Sequence, residues 1–390
     1  MLAVSDISVI LPVLLLLFVA LIIGEILTRF DAPAVTGEIL AGILLGPAIL
    51  DLVKPNDLLS GIADISVFFI VLVLGVQEET NTLRSGIRTS VTLTFLSFVI
   101  PVAGMFAIAH YIIGLNETAS LFLSIAVGVP SISITSILVR QKNIYETVTG
   151  KIIVASVVIT DMLSLIMASV IVRVSDFVFR ILGVIVIFLV IIILDIFIRR
   201  NPDKVSRFIA RIHAESTGER IIFGSIIVAS LLVSYLLDLL GVSFLLGAFF
   251  AGILVSDVSF GRELKGMITR TLSRMVDSFF SPIFFSIAGL SIVIPDLYGL
   301  KVLFSLLPVT AILSAFFVYV YIRRKIGRNS SMYTMGITGS RGAVSVIVAT
   351  IGLDHNFLTP ELYSVAILAT LVLSIVLPLA FLRHVGPPEK

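Results

Sequence analysis

Cysteine and tryptophan are absent from this chain of 390 residues, and charged residues make up only 13% of it. Without cysteine the protein has no disulfide, no thiol nucleophile and no cysteine-ligated metal. Its four histidines form no cluster along the chain, so the sequence predicts neither a resident metal nor a cofactor. No nucleophile is paired with a base in a recognisable pattern, so an enzyme is not predicted. Soluble domains carry about 25% charged residues, which argues against that class of protein.

Apolar residues dominate instead, at 58% of the chain with a mean hydropathy of +1.16. The apolar runs are continuous rather than alternating, which excludes a transmembrane β-barrel and predicts membrane-spanning α-helices. The net charge of +2 is carried mainly in short segments between these runs. We therefore expect contact with membrane lipid and no nucleic-acid partner.

About thirteen apolar segments have a length suited to crossing a bilayer as α-helices. They span residues 7–28, 34–50, 60–78, 89–114, 118–139, 149–171, 178–198, 219–238, 242–256, 275–295, 301–322, 332–353 and 361–383. The longest polar stretch, about 199–220, is too short for a soluble domain. The sequence predicts an all-α polytopic membrane protein that forms one transmembrane unit.

The positions of the basic residues predict the orientation of the chain. Twenty-two of the 27 Lys and Arg residues lie in segments on one side of the membrane, and four lie on the other. Basic residues concentrate on the cytoplasmic side. We expect a multi-pass protein of the cell (inner or plasma) membrane, with its N-terminus outside and its C-terminus in the cytoplasm.

The two halves of the chain resemble each other. The matching segments are residues 41–44 and 251–254, which both read Ala-Gly-Ile-Leu, and two Phe-Phe pairs, Phe68-Phe69 before Gly75 and Phe284-Phe285 before Gly289. Each pair is seven predicted helices apart, so its members cross the membrane in opposite directions. This pattern indicates an inverted-topology repeat, a common architecture of transporters.

Asp161 differs from most of the 25 acidic residues because it lies near the middle of a predicted helix. Ionisable residues at membrane depth are costly and mark functional sites. Removal from water disfavours the charged form of a carboxylate, so Asp161 can exchange a proton for a cation. The alternative is a structural carboxylate that is hydrogen-bonded to another helix.

Two predicted helices carry residues that interrupt a helix. In the fifth, Pro130 removes a hydrogen bond and clashes with the preceding turn, and Ser131 and Thr135 follow it. In the twelfth, three glycines in seven residues, Gly339 among them, weaken the helix. Interrupted helices at corresponding positions of two halves indicate the ion site, with Ser131 and Thr135 as neutral ligands. The alternative is a pair of kinked packing helices.

Arg341 and Glu38 are further charged residues within predicted helices. Arg341 either offsets the carbonyl ends of the interrupted helices or pairs with an acidic residue. Glu38, like Glu25 in a matching Gly-Glu-Ile-Leu motif, lies near a cytoplasmic helix end. An ion funnel, a pH sensor and a solvated carboxylate are the alternatives there, and we favour the solvated carboxylate.

These residues resemble the ordered motifs of the monovalent cation:proton antiporter family, which contains NapA-, Kef- and NhaP-type proteins. The matching segments are residues 37–47, 131–135, 246–252, 282–285 and 341–344. The ordered set runs along nearly the whole chain and is specific. The resemblance implies an NhaA-like antiporter fold, with inverted repeats and two discontinuous helices that cross.

The resemblance also implies that Asp161 carries the transported ion, Na⁺ or otherwise K⁺ or Li⁺. Thr160 stands where electrogenic relatives carry the first of two aspartates. We therefore expect electroneutral exchange with H⁺ by alternating access, in which cation and proton compete for Asp161. A homodimer is also implied. The resemblance further implies two groups of helices within the chain. Residues 1–85 and 178–300 form mainly the dimerisation helices, and residues 86–172 and 301–385 form mainly the ion-translocating core helices.

Two other transport functions are alternatives. A sodium-coupled solute symporter with similar inverted repeats needs a larger midplane cavity, with more polar groups than this sequence offers. A cation channel, the weaker alternative, conducts far faster and ignores proton gradients.

Overall fold

A computed structural model describes residues 7–30, 32–77, 87–130, 147–171, 218–239, 244–255 and 260–382, together with Thr135, Ile144, Val186, Ile193 and Arg200. The described part is almost wholly helical and contains no β-strand. Its α-helices are α1 (Ile7–Arg29), α2 (Ala34–Leu45), α3 (Asp57–Gln77), α4 (Ile87–Thr94), α5 (Ile100–Ala107), α6 (Glu117–Gly128), α7 (Val148–Ile171), α8 (Gly218–Leu239), α9 (Phe244–Ile253), α10 (Arg262–Met275), α11 (Ser281–Leu290), α12 (Leu297–Lys325), α13 (Arg328–Thr338), α14 (Ala343–Asp354) and α15 (Pro360–Leu382). Three π-helical segments, Phe95–Val99, Ile108–Ile112 and Val276–Phe280, continue neighbouring α-helices.

The predicted all-α membrane fold is confirmed. Within the described residues, 8 helices are long and apolar enough to cross a membrane, and three shorter apolar helices accompany them. The predicted segment 178–198 lies almost entirely outside the described residues, so the count of about thirteen stays a prediction. Side-chain caps begin several of the helices, including α6, where Asn116 accepts from the Ala119 amide, and α12, where Asp296 accepts from the Gly299 amide, each at 2.7 Å.

The second predicted helix interruption is confirmed, and for the first the described residues show the end of the helix before Pro130. Helix α6 ends at Gly128, and Val129 is extended (φ −72°, ψ 118°), as the residue before a proline should be. The second interruption separates α13 from α14 over residues 339–342, where Gly342 is also extended (φ −170°, ψ −135°). Proline in the first case and glycine in the second break the helices locally.

Some helices differ in length from the predicted segments. Helix α2 ends at Leu45 rather than at residue 50, because Gly46 becomes extended before Pro47. The π-helical segment Phe95–Val99 in the fourth predicted helix was not predicted. Such segments insert one extra residue into a turn and often accompany functional sites.

The chain forms two compact units. Unit 1 comprises Met1–Ser60, Asn81–Ala168 and Phe285–Lys390, and unit 2 comprises Gly61–Thr80 and Ser169–Phe284. Every candidate site residue named above belongs to unit 1. The expected scaffold and translocating core concern movement during transport, and that division stays a prediction.

Within unit 1, α2 and α11 touch backbone to backbone through two glycines. A Cβ atom at Gly42 would lie under 3.0 Å from the Ser286 carbonyl oxygen, and a Cβ at Gly289 would lie equally close to the Ile39 carbonyl oxygen. Real Cβ atoms do not tolerate such separations. Glycine is therefore required at both positions for these helices to approach each other.

Within unit 2, α3 and α9 make the same contact. A Cβ atom at Gly75 would collide with the Phe249 carbonyl, and one at Gly252 would collide with the Leu72 carbonyl. In each of the four cases, the carbonyl belongs to the residue three positions before the partner glycine.

The two glycine contacts correspond under the predicted repeat. Gly42 matches Gly252 in the Ala-Gly-Ile-Leu segments, and Gly75 matches Gly289 after the Phe-Phe pairs. Under the repeat, the contact between Gly42 and Gly289 therefore corresponds to the contact between Gly252 and Gly75. Agreement at the level of single carbonyls supports the inverted repeat independently of sequence letters.

We expect Gly42→Ala and Gly252→Ala to destabilise the protein, because overpacking a close contact costs about 1–3 kcal/mol. Gly224→Ala is the matched control, since Gly224 lies inside α8 with nothing within 4 Å of an added Cβ. Alanine there should keep or raise stability, because it favours a helix over glycine by about 1 kcal/mol. Thermal denaturation of a fluorescent-protein fusion in detergent measures all three. A Gly42→Ala protein as stable as the control would show that the helices can separate at no cost.

Candidate functional site

Asp161 lies in the middle of α7 and is almost fully buried, with 2% of its surface exposed. Thr160, beside it, is completely buried. The carboxylate thus lies inside an apolar helix and away from its ends, as the sequence predicts. Burial of a charged carboxylate is costly unless its charge is compensated.

Hydroxyl groups around Asp161 direct their protons into the backbone of their own helix. Thr160 donates to the Ser156 carbonyl at 2.8 Å, and Ser164 donates to the Asp161 carbonyl at 2.9 Å. A hydroxyl has one proton and two lone pairs. Because the proton is used within the helix, what remains of each group is an acceptor, which suits a cation or a proton donor.

Two hydrogen bonds fix α7 against neighbouring helices of unit 1. Thr94 at the end of α4 donates to the Ser156 carbonyl at 2.9 Å, the same carbonyl that accepts from Thr160. Near the start of α7, Thr149 donates to Ser330 of α13 at 3.0 Å. Asp161 lies twelve residues beyond Thr149, about 18 Å along the helix at 1.5 Å per residue. This distance exceeds half of the hydrocarbon core, which is about 30 Å thick.

Arg341 lies between the two interrupted helices and is completely buried. Its Nε donates to the Val127 carbonyl in the last turn of α6 at 2.6 Å, and its Nη1 donates to the Thr338 carbonyl at the end of α13 at 2.9 Å. Its Nη2 donates to the Ser314 hydroxyl of α12 at 2.6 Å. The last carbonyls of a helix lack partners within the helix and carry partial negative charge. One guanidinium therefore serves the carbonyl ends of both interrupted helices.

The crossing of the interrupted helices is closed by two serines. Ser345, in the first turn of α14, donates to the Val129 carbonyl at 3.1 Å, directly before Pro130. Ser374 of α15 donates to the Arg341 carbonyl. Gly339 caps α13, and a Cβ atom there would lie 2.7 Å from Cδ1 of Leu377. The structure thus brings the regions of Pro130, Gly339 and Arg341 together at one place.

The predicted neutral ligands are partly described. Thr135 is fully buried, and among the described residues its hydroxyl has no hydrogen-bond partner. A buried hydroxyl without a partner costs about 1–3 kcal/mol, so Thr135 can gain from a bound cation or water. Ser131 lies outside the described residues, and its role stays a prediction.

The two carboxylates of the Gly-Glu-Ile-Leu motifs differ in environment. Glu25 is exposed and forms an ion pair with Arg29 at 3.2 Å. Glu38 is buried, with 5% of its surface exposed, so the favoured interpretation of a solvated carboxylate is wrong for this residue. Helix α2 is short and packs closely on α1 at Gly37. This contact lies next to Glu38, at the end of α2 that the sequence places near the membrane–water interface.

For Arg341, the first of the two expected interactions is the observed one. No carboxylate of the described residues forms an ion pair with it, whereas two helix-end carbonyls do accept its protons. Ser314 and Ser345 complete this arrangement and were not predicted. No sequence pattern distinguishes them from the many other serines in these helices.

The family described as "Sodium/hydrogen exchanger, transmembrane" matches residues 13–383 of this chain. A "Probable Na(+)/H(+) antiporter 3" of Methanocaldococcus jannaschii is 24% identical over 384 residues, covering 95% of each chain. A "Na(+)/H(+) antiporter" of Enterococcus hirae is 27% identical over 378 residues, covering 94% of this chain and 96% of the relative. The "Na(+)/H(+)-K(+) antiporter GerN" of Bacillus cereus is 22% identical over 384 residues, covering 94% of each.

A solved structure has the same fold. The sodium proton antiporter MjNhaP1 from Methanocaldococcus jannaschii superposes with a TM-score of 0.69 at 18% identity, covering 94% of both chains. The predicted fold class, an NhaA-like antiporter fold, agrees with this similarity.

We expect Arg341→Ala to lower thermal stability strongly, because it leaves the Val127 and Thr338 carbonyls and the Ser314 hydroxyl without their donor. Each buried unpaired group costs about 1–3 kcal/mol. Ser314→Ala removes one contact of the three and should cost less, and Arg220→Ala, at an exposed position in the first turn of α8, should cost almost nothing. Denaturation of fluorescent-protein fusions ranks the variants. An Arg341→Ala protein that is stable but inactive in transport would instead place Arg341 in the ion pathway.

Proposed function

Because this chain belongs to the transmembrane sodium/hydrogen exchanger family, we propose that it exchanges a monovalent cation for H⁺ at Asp161. Na⁺ is the expected cation, and K⁺ or Li⁺ are the alternatives. The observation that carries this proposal is a carboxylate with 2% of its surface exposed, held in the middle of an apolar helix. The proposed role of the chain is transport, without a cofactor and without enzymatic catalysis.

Competition between the cation and the proton explains why one carboxylate suffices. A charged carboxylate is costly at this depth, and either a bound proton or a bound cation offsets the charge of Asp161. Both forms are neutral as a site, and each can be carried across. Alternating access between them produces exchange and excludes transport of either ion alone.

Neutral oxygens complete the proposed cation site. Thr160 keeps lone pairs after donating to Ser156, and Thr135 offers a buried hydroxyl. The backbone carbonyls of Val129 and Pro130 can add ligands, since the helix ends at Gly128. Oxygen ligands of this kind suit a hard monovalent cation.

Arg341 is proposed to stabilise the crossing rather than to bind the ion. Each of its three nitrogens donates within the crossing, to Val127, Thr338 and Ser314, so the guanidinium is held there. Its positive charge also offsets two helix ends that would otherwise attract the cation away from Asp161. Gly339 is proposed to provide the space for this arrangement, and Glu38 remains a candidate second titrating group of the pathway.

Several finer features belong to the same proposal. Relatives named for Na⁺ and one named for both Na⁺ and K⁺ support a monovalent cation without deciding between these ions. They are all named antiporters, so the symporter alternative finds no support. The chain is a multi-pass membrane protein. We propose that it lies in the cell membrane as a homodimer, with its N-terminus outside and with the scaffold and core division expected from the sequence.

We expect Asp161→Asn to abolish cation-driven pH changes in proteoliposomes that contain a pH-sensitive dye, while the protein still folds and inserts. Asparagine keeps the shape of the side chain and cannot carry a proton or offset a cation. Asp238→Asn is the matched control, because Asp238 is an exposed carboxylate in the last turn of α8. Exchange at the normal rate in the Asp161→Asn protein would refute the assignment.

We also expect electroneutral exchange of one cation for one proton. Thr160 cannot carry a proton in place of an aspartate, so the two half-cycles move equal charge. A membrane potential acts only on net moved charge, at about 2.3 kcal/mol per elementary charge per 100 mV. Na⁺-driven exchange should therefore be unchanged by a K⁺–valinomycin potential, and apparent cation affinity should fall as the pH falls. An end-point that follows the potential would require a second titrating group. The next test would then compare the potential dependence of exchange in the Glu38→Gln protein and in the unsubstituted protein, with Asp161→Asn as the inactive reference.

A further inference from the structure

A groove on the surface of unit 1 lies between α4, with its π-helical continuation, and the last three turns of α12. Its volume is about 630 Å³. The groove is lined by Thr92, Leu96, Phe316, Phe317, Val320, Tyr321, Arg324 and Lys325. Most of these side chains are apolar, and Phe316 and Phe317 are 58% and 37% exposed. In a membrane protein such a surface faces acyl chains rather than water.

The charges of the groove are all of one sign and stand at one end. Arg324 and Lys325 end α12, and none of the residues that line the groove is acidic. Lys325 donates to the Thr89 hydroxyl at 2.5 Å and lies 5.6 Å from the centre of the Tyr321 ring. It thereby closes the groove between the two helices. Arg324 has no hydrogen bond or ion pair with the described residues, so its guanidinium is available to an anion.

The dimensions of the groove match one leaflet of a bilayer. Phe316 lies nine residues before Lys325, which is about 13 Å along a helix. Half of the hydrocarbon core is about 15 Å thick. A molecule bound here has an anionic group at the end of α12, at the membrane interface, and an apolar chain that runs inward along Leu96, Val320 and Phe316.

We propose that this groove is a binding site for one anionic glycerophospholipid, with its phosphate group at Arg324 and Lys325 and an acyl chain against Phe316 and Phe317. Guanidinium and ammonium groups are the usual protein partners of phosphate. Basic pockets between membrane helices at the interface are suited to anionic head groups. The inference needs only the membrane location of the chain and is independent of the proposed exchange at Asp161.

The absence of tryptophan from the chain permits a direct test. Phe317→Trp introduces a single fluorophore into the groove, and Phe304→Trp introduces one at an exposed position of the same helix outside it. Each purified protein is reconstituted into phosphatidylcholine with increasing fractions of a lipid brominated in its acyl chains. Quenching by brominated phosphatidylglycerol and by brominated phosphatidylcholine is compared. Quenching of the groove tryptophan should favour the anionic lipid by at least about fivefold, the effect of a single basic side chain near a membrane surface, whereas the control should show equal quenching.

Removal of the charges tests the role of the two basic residues. In the Phe317→Trp protein, Arg324→Gln together with Lys325→Gln should make quenching by the anionic lipid equal to quenching by phosphatidylcholine. Arg324→Gln alone, which keeps the contact of Lys325 with α4, should reduce the preference for the anionic lipid. Arg270→Gln with Arg274→Gln removes the same charge from exposed positions of α10 and should leave it unchanged. Equal quenching by both lipids in the groove, or a preference that survives loss of Arg324 and Lys325, would overturn the proposal.

Discussion

The backbone of a chain inside a bilayer has no water to bond with, and at the two interrupted helices this constraint is hardest to meet. Each interruption leaves carbonyl groups without partners. Arg341 meets this need for both helices through N–H groups held in a fixed fork. Two of its acceptors, Val127 and Thr338, come from helices in opposite halves of the chain. The crossing is therefore held by one guanidinium that is itself hydrogen-bonded, and the unpaired helix ends become compatible with a dry environment.

A second constraint is how closely the helices can approach each other. In a membrane, contact between helices gains little from the hydrophobic effect, so close packing of small residues becomes important. This chain uses the same arrangement in both units: Gly42 against Gly289, and Gly75 against Gly252. Four glycines at corresponding positions leave room for a carbonyl group of the neighbouring helix, where the Cβ atom of any other residue would hold the helices apart. The internal repeat thus preserves an atomic contact as well as a helix order.

The features predicted from the sequence are those that a single residue imposes on its own neighbourhood. Pro130 and the glycines around Gly339 interrupt helices wherever those helices lie, and Asp161 is unusual in any apolar helix. Features that depend on which helices become neighbours could not be predicted. Ser314 was not expected to meet Arg341 because serine is frequent in these helices and carries no pattern. Glu38 was expected in water because it lies near the predicted end of a helix. Its burial depends on how α2 packs, which the sequence does not reveal.

The chemistry around Asp161 follows from the same lack of water. Serine and threonine hydroxyls in a dry helix donate to the carbonyl one turn earlier, as Thr160 and Thr338 do. Their protons are then unavailable, and only oxygen lone pairs face a third partner. Such a neighbourhood is rich in acceptors, which favours a cation or a proton over an anion. Thr160 contributes an uncharged oxygen beside Asp161, so the proposed one-to-one exchange needs a single Na⁺ or a single H⁺ at one carboxylate.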